Sequence, residues 1–368
     1  MFYNFNSAHP ALFLAPMADV TNPAFRFIAH EHGADFTYTE MIHSDGFNHG
    51  DPYAKNRGFS IHNIPYGIQI VGNQAESIAK AAADLEKIFP AAAVLDINMG
   101  CPSPPITKTG CGAALLATDF GSDSHPSSIV RRVCDAADLP ISAKIRVYKD
   151  PEKTLRLAKS LEDAGVSALT VHGRTRDQMY SGKSNWALIA EIKKELSIPV
   201  ILNGDVCDEK SLQQAIVQTE CDGYMIGRGA IGNPAIFQRL KYFLKNGEPA
   251  PDGPVEKFEA RRTDLKAYFS YLNQYDLYSF VNVRAHAQWF TTGLPYSREM
   301  RLRINDLHKE IKIRNLADDE LVEERRILSS EISNIFDEYA DKCRKEYEHT
   351  NAENKQISSI FETNRNLK

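Results

Sequence analysis

The sequence lacks any apolar stretch long enough to cross a bilayer. Its longest runs, such as Ala91–Leu95 and Ala113–Ala117, fall far short of the roughly 20 residues a spanning helix needs, so no membrane segment is expected. Paired cysteines are missing as well. The six present, Cys101, Cys111, Cys134, Cys207, Cys221 and Cys343, are scattered without a CxxC pair, which argues against structural zinc, any metal site and a disulfide framework. Nor is positive charge in excess. With 43 Lys and Arg against 48 Asp and Glu, a surface basic all over is ruled out, while a local basic stripe that meets phosphates remains open. Met1–Pro10 carries Asn, His and Ser where a secretory signal would have a basic patch and then an apolar run, so a cytoplasmic location is expected.

What is there is a regular alternation. Short β-rich runs occur at Leu12–Ala18, Phe36–Met41, Tyr66–Gly72, Val94–Met99, Ile141–Val147, Ala168–His172, Pro199–Gly204 and Gly223–Gly227. Between them lie helical patterns at Pro23–Glu31, Ala75–Phe89, Pro126–Ala137, Thr154–Ala164, Trp186–Glu195 and Ser211–Gln218. The second connection, His43–Ile64, is rich in Gly, Asn and Asp and reads as loop. Alternation of this kind means parallel strands, and eight units fit a closed (β/α)8 TIM barrel better than an open sheet.

In such a barrel the working residues stand at the carboxyl ends of strands. Those ends read Pro16-Met17-Ala18-Asp19, Glu40, Gln69, Asn98-Met99-Gly100-Cys101, Lys144-Ile145-Arg146, His172-Gly173-Arg174, Asn203-Gly204-Asp205 and Gly227-Arg228-Gly229. So many polar groups on one rim point to a site. The run Gly227–Gly232 also matches GxGxxG, but the chain then enters Asn246–Pro254 rather than a strand ending in an acidic residue, so a dinucleotide fold is not indicated. As an eighth barrel strand, these glycines with Arg228, beside Asn203, Gly204 and Asp205, form a phosphate grip.

Six motifs in order resemble the tRNA-dihydrouridine synthases: Leu14–Ala18, Asp96–Ser103, Lys144–Arg146, Val171–Thr175, Asn203–Asp205 and Ile226–Gly229. Val147-Tyr148 stand where that family tends to place a glycine, and Ala117–Ser128 reads as an enlarged loop. The resemblance implies an FMN-dependent enzyme that reduces the C5–C6 bond of a tRNA uridine, with NADPH or NADH as reductant. Hydride would reach C6 from the flavin and a proton would reach C5 from Cys101, whose thiol, with a reference pKa of about 8.5, suits an acid. Lys144 would neutralise the electron-rich flavin, Gln69 would meet its polar edge, His172 would meet that edge or the substrate carbonyl, and Pro16 and Met17 would pack on the ring. Asn98 would orient the uracil, and Arg174 would contact RNA or ribose.

From Pro254 long helical stretches take over, with Val283–Phe290 amphipathic. Arg284, His286, Arg298, Arg301 and Arg303 gather cations in one region, and the resemblance makes Arg284, Arg301 and Arg303 candidate tRNA contacts. The expected organisation is a catalytic barrel over 1–250, a smaller helical tRNA-binding domain over 251–345 and a flexible tail over 346–368. Two other readings are a barrel flavoenzyme acting on a free small molecule and a non-catalytic RNA-binding protein on the same scaffold. The oligomeric state is not legible in the sequence.

Overall fold

The computed structural model describes the backbone of residues 3–5, 9–119, 121–251, 253–312 and 318–365, and the side chains of the same residues except 280, 311–312, 318–320 and 351–365. Two compact units divide the chain after Pro249. The first carries nine strands: β1 (Ala11–Leu14), β2 (Phe36–Thr37), β3 (Ile42–His43), β4 (Tyr66–Val71), β5 (Ala92–Met99), β6 (Ile141–Arg146), β7 (Ala168–His172), β8 (Val200–Asn203) and β9 (Gly223–Ile226). Every pairing is parallel, in the order β2-β1-β9-β8-β7-β6-β5-β4-β3. This is the expected barrel, with its second stave split in two.

That split has a visible cause. The stretch expected as one strand, Phe36–Met41, pairs with β1 at Phe36 and Thr37 alone; Tyr38 then bridges Gly67, and Thr39 N–H donates to the Gly67 carbonyl at 2.9 Å. One stave thus changes neighbours midway and closes the barrel between β1 and β4. Gly67 is needed for this, because a Cβ there would stand 2.4 Å from the Tyr38 ring. The first strand is shorter than expected for another reason. Ala15 N–H still donates to Ile226 O at 2.9 Å, but Pro16 has no N–H to offer and the ladder stops.

The connecting helices follow the sequence pattern closely. Pro23–Glu31 begins with Pro at its first turn and Asn22 accepting from Phe25 N–H. Pro151–Ala164 is capped by Asp150 and ends at Gly165, whose φ of 109° suits the left-handed cap. The segment expected as loop, His43–Ile64, instead contains the short helices Ser44–Asn48 and Tyr53–Gly58. Both are too brief to show a hydrophobic period. Inside the barrel Phe13, Phe36, Tyr38, Val94, Ile201 and Met225 form an apolar layer, against which Tyr3 and Phe5 pack. The polar residues lie at the opposite, carboxyl end of the strands.

The second unit is helical: Pro254–Gln274, Val283–Phe290, Ser297–Lys312 and Asp318–Arg365. Within the stretch expected as a flexible tail, 346–368, the last helix runs on as far as Arg365, with 366–368 outside the described residues. Among the described residues, no helix is long and apolar enough to cross a membrane.

Candidate active site

The strand register brings the site together. Gln69 is the partner of Asp96, Asn98 of Lys144, and His172 of Asn203, so polar side chains from adjacent staves stand level with one another. They line a cavity of about 1340 Å³. Pro16, Met17, Gln69, Asn98, Cys101, Lys144, His172, Arg174, Asn203, Gly204, Asp205, Gly227 and Arg228 all border it. A pocket for one small molecule usually occupies about 300–1,000 Å³, so there is room for a cofactor and a second planar group.

Cys101 sits in a loop held from three sides. Asn98 Oδ1 accepts from Gly100 N–H at 3.1 Å and from Cys101 N–H at 2.9 Å. Arg146 Nε donates to Gly100 O at 2.8 Å, and Ala113 N–H donates to Cys101 O at 2.9 Å. Asn98 also donates to Gln69 Oε1 at 2.8 Å. Its Oδ1 thus serves the loop and its Nδ2 reaches Gln69, while the residue still borders the cavity where it was expected to orient the uracil. It positions Cys101.

Gln69 in turn donates to Asp96 Oδ2 at 2.8 Å, and Ser142 Oγ donates to Asp96 Oδ1 at 2.7 Å. Burial raises the Asp96 carboxyl from 3.8 to about 6 despite these bonds. A carboxyl raised on folding contributes stability that is present below pH 4 and lost as pH rises through 6. Comparing urea unfolding of the wild type with Asp96→Asn at pH 4 and pH 7 should show the wild type losing, relative to the variant, on the order of 2–3 kcal/mol. A pH-independent difference would mean that folding leaves the Asp96 carboxyl where it stands in the unfolded chain.

Lys144 Nζ donates to Asn203 Oδ1 at 2.9 Å, and Asn203 Nδ2 donates to Met225 O at 2.8 Å. Burial and the nearby Arg146 lower the Lys144 ammonium to about 8. It is thus mostly charged at neutral pH. His172 is pushed down to about 2 by burial and by the cations Lys144, Arg146, Arg174 and Arg228, so its imidazole is neutral. Arg174 Nη1 lies 3.4 Å from His172 Nε2, which makes that nitrogen the acceptor and leaves the proton on Nδ1.

Arg174 departs from its expected role. Its guanidinium donates to Ser181 O at 3.0 Å and Gly182 O at 2.6 Å, and its Nη2 stands 2.7 Å from Asp205 Oδ1 and 2.9 Å from Oδ2. With its side chain only 3% exposed, it is a structural cation and is not free to grip RNA or ribose. Asp205 also accepts from Ser184 N–H at 2.7 Å and pairs with Arg228 at 3.1 Å. Its carboxylate would repel an anion, and its pairing fixes the Arg228 guanidinium at the rim. Gly204 has φ of 110°, and a Cβ there would meet the His172 ring and Ser184 Oγ at 2.8 Å.

Two features went unassigned in the sequence. Arg146, 2% exposed, reaches Thr175 O at 3.0 Å and Met179 O at 2.8 Å as well as Gly100 O. Tyr180, 58% exposed, borders the cavity with the guanidinium groups of Arg146 and Arg228 at 5.8 and 5.6 Å from its ring centroid. The Lys-x-Arg spacing hinted at the first, since it puts both side chains on one face of β6; nothing marked the second. Among the described residues, no group of three or more His, Cys, Asp or Glu could hold a metal ion.

In the helical unit the candidate cations differ from one another. Arg284 is half-buried. Arg301 donates to Thr291 Oγ1 at 2.8 Å and Thr292 Oγ1 at 3.0 Å, and Arg303 pairs with Glu338 at 2.7 Å. His286, grouped with the cations in the sequence, is 1% exposed and stacked on Tyr268 at 4.6 Å, so it belongs to the core.

Comparison with known proteins agrees with this geometry. The model of the dihydrouridine synthase (Dus) family matches residues 13–326. The tRNA-dihydrouridine synthase B of Pseudomonas syringae pv. tomato is 35% identical over 309 residues, covering 82% of this chain and 88% of that protein. The enzyme of the same name from Xanthomonas axonopodis pv. citri is 33% identical over 311 residues, covering 81% and 89%. A match along most of the chain, with relatives this similar over most of their own length, means that the chain belongs to the dihydrouridine synthase family.

Proposed function

We propose that this protein is a flavin-dependent oxidoreductase that reduces the C5–C6 double bond of a uridine in tRNA, with FMN as the flavin and NADPH or NADH as the reductant. The observation that carries this reading is that Cys101, Lys144, His172 and Asn203 border one cavity large enough for two planar groups. The donor set suits a flavin. The Lys144 cation, the amides of Gln69 and Asn203 and the neutral His172 would hold the polar edge of the ring, with Pro16 and Met17 against its face. Gly204, Gly227 and the half-exposed Arg228 would hold the phosphate. When bound, the flavin supplies the hydride equivalent that C6 receives.

The chain's own residues then have definable tasks. Cys101 Sγ delivers a proton to C5, and the bonds from Asn98, Arg146 and Ala113 keep its loop in one arrangement. Lys144 stabilises negative charge in the cavity, which also holds Arg146, Arg174 and Arg228. A uridine within folded tRNA is stacked, so the target must swing out to enter. Loss of dihydrouridine from the tRNA of cells lacking this gene, together with a yellow purified protein, would bear out the reading. Turnover of a free small molecule without RNA, or a colourless protein, would reject it.

Residues 251–345 supply the tRNA-docking surface in this proposal, and a cytoplasmic location goes with the substrate. Replacing Arg301 and Arg303 together should flatten the salt dependence of tRNA binding by about one unit of slope for each phosphate that the two arginines neutralise. Since Arg303 already holds Glu338, a change nearer one unit than two is expected. An unaltered slope would place the docking surface elsewhere.

A further inference from the structure

Arg146 is the largest fully buried side chain among the described residues, and all of its hydrogen bonds there go to backbone carbonyls. It forms no carboxylate ion pair there. One end of the guanidinium holds Gly100 O, immediately before Cys101; the other holds Thr175 O and Met179 O. The segment from Thr175 to Gly182 is otherwise tied by Gln178, whose Oε1 accepts from Thr175 N–H at 2.8 Å, and by Arg174 at Ser181 O and Gly182 O. At its tip Met179 has a φ of 48°, and both Met179 and Tyr180 are exposed.

A single rigid cation therefore joins the loop that carries the thiol to a loop that presents an aromatic ring at the cavity mouth. We propose that Arg146 is a positioning residue that couples these two loops, so that contact of the substrate with the Met179–Tyr180 tip is transmitted to the placement of Cys101. Its planar fork explains why the position calls for arginine. Three carbonyls in fixed directions are matched by one guanidinium, whereas an ammonium on a flexible stem would hold them less rigidly. The coupling rests on the functional reading above for what it achieves, but its physical basis is the three bonds.

The test is a cycle of two substitutions read by amide hydrogen exchange on the full chain. Gln178 touches the 175–182 loop and does not border the cavity. Gln178→Ala should speed exchange in residues 174–184 and also, by roughly tenfold, in residues 99–103, since removing one hydrogen bond is worth about that factor. In an Arg146→Lys background the same substitution should loosen 174–184 alone. Turnover of Arg146→Lys should fall with the KM for tRNA little changed. Unchanged exchange in 99–103 for Gln178→Ala would overturn the coupling, and so would a response there that persists without Arg146. Should Arg146→Lys not fold, the Gln178→Ala arm decides by itself. Exchange needs no turnover, so a wild-type protein that forms no dihydrouridine would remove the functional reading and leave the coupling still to be scored.

Discussion

Cys101→Ala should retain bound flavin and lose about 10²–10⁴ in the rate of uridine reduction, the range associated with removing a positioned acid. The structure explains why retention is expected. The thiol takes no part in the bonds that hold its loop; those run through the backbone of Gly100 and Cys101 to Asn98, Arg146 and Ala113. Nor does it touch the bond between Lys144 and Asn203. Single-turnover measurement of dihydrouridine formation, set beside the flavin absorbance of the same sample, separates chemistry from binding. Turnover equal to the wild type would reject Cys101 as the proton donor.

Asp205→Ala should be the most destabilising change on the rim, costing about 3 kcal/mol, because it leaves a buried cation without its carboxylate. Arg174 is 3% exposed and stands 2.7 Å from Asp205, so water cannot replace the missing charge there. The partial exposure of Asp205 itself, 26%, keeps the figure at the lower end of the range for buried pairs. Asp205→Asn retains an acceptor for Ser184 N–H and should recover part of the loss. Urea unfolding at pH 7 measures both. Equal stability of the alanine variant and the wild type would show that the carbonyls of Ser181 and Gly182 suffice for Arg174.

Much of this was legible before the fold was seen. Eight staves were found because each strand is short, β-rich and bounded by turn residues, and because the helices between them carry an apolar period. The split in the second stave was not legible, since it depends on Tyr38 meeting Gly67, a contact between residues far apart in sequence. The barrel residues of the candidate site could be named from motifs at strand ends, and they share one cavity. What the motifs could not give was direction. Asn98 and Arg174 are polar residues at the rim, as expected, yet their hydrogen bonds turn inward onto the protein. Arg146 stands in a recognisable motif, but its task is not legible there, because its partners are carbonyls, which leave no mark in a sequence.

The changeover in the second stave has a mechanical side. Where Phe36–Thr37 hands over to Ile42–His43, the ring of strands is fastened by a seam of few bonds, and Thr39 Oγ1 accepting from Gln69 N–H at 3.0 Å places that seam beside the cavity wall. A ligand seated against Gln69 would act as a clasp across the weakest join in the wall. Filling the cavity should therefore stiffen the whole hoop of strands as well as the rim.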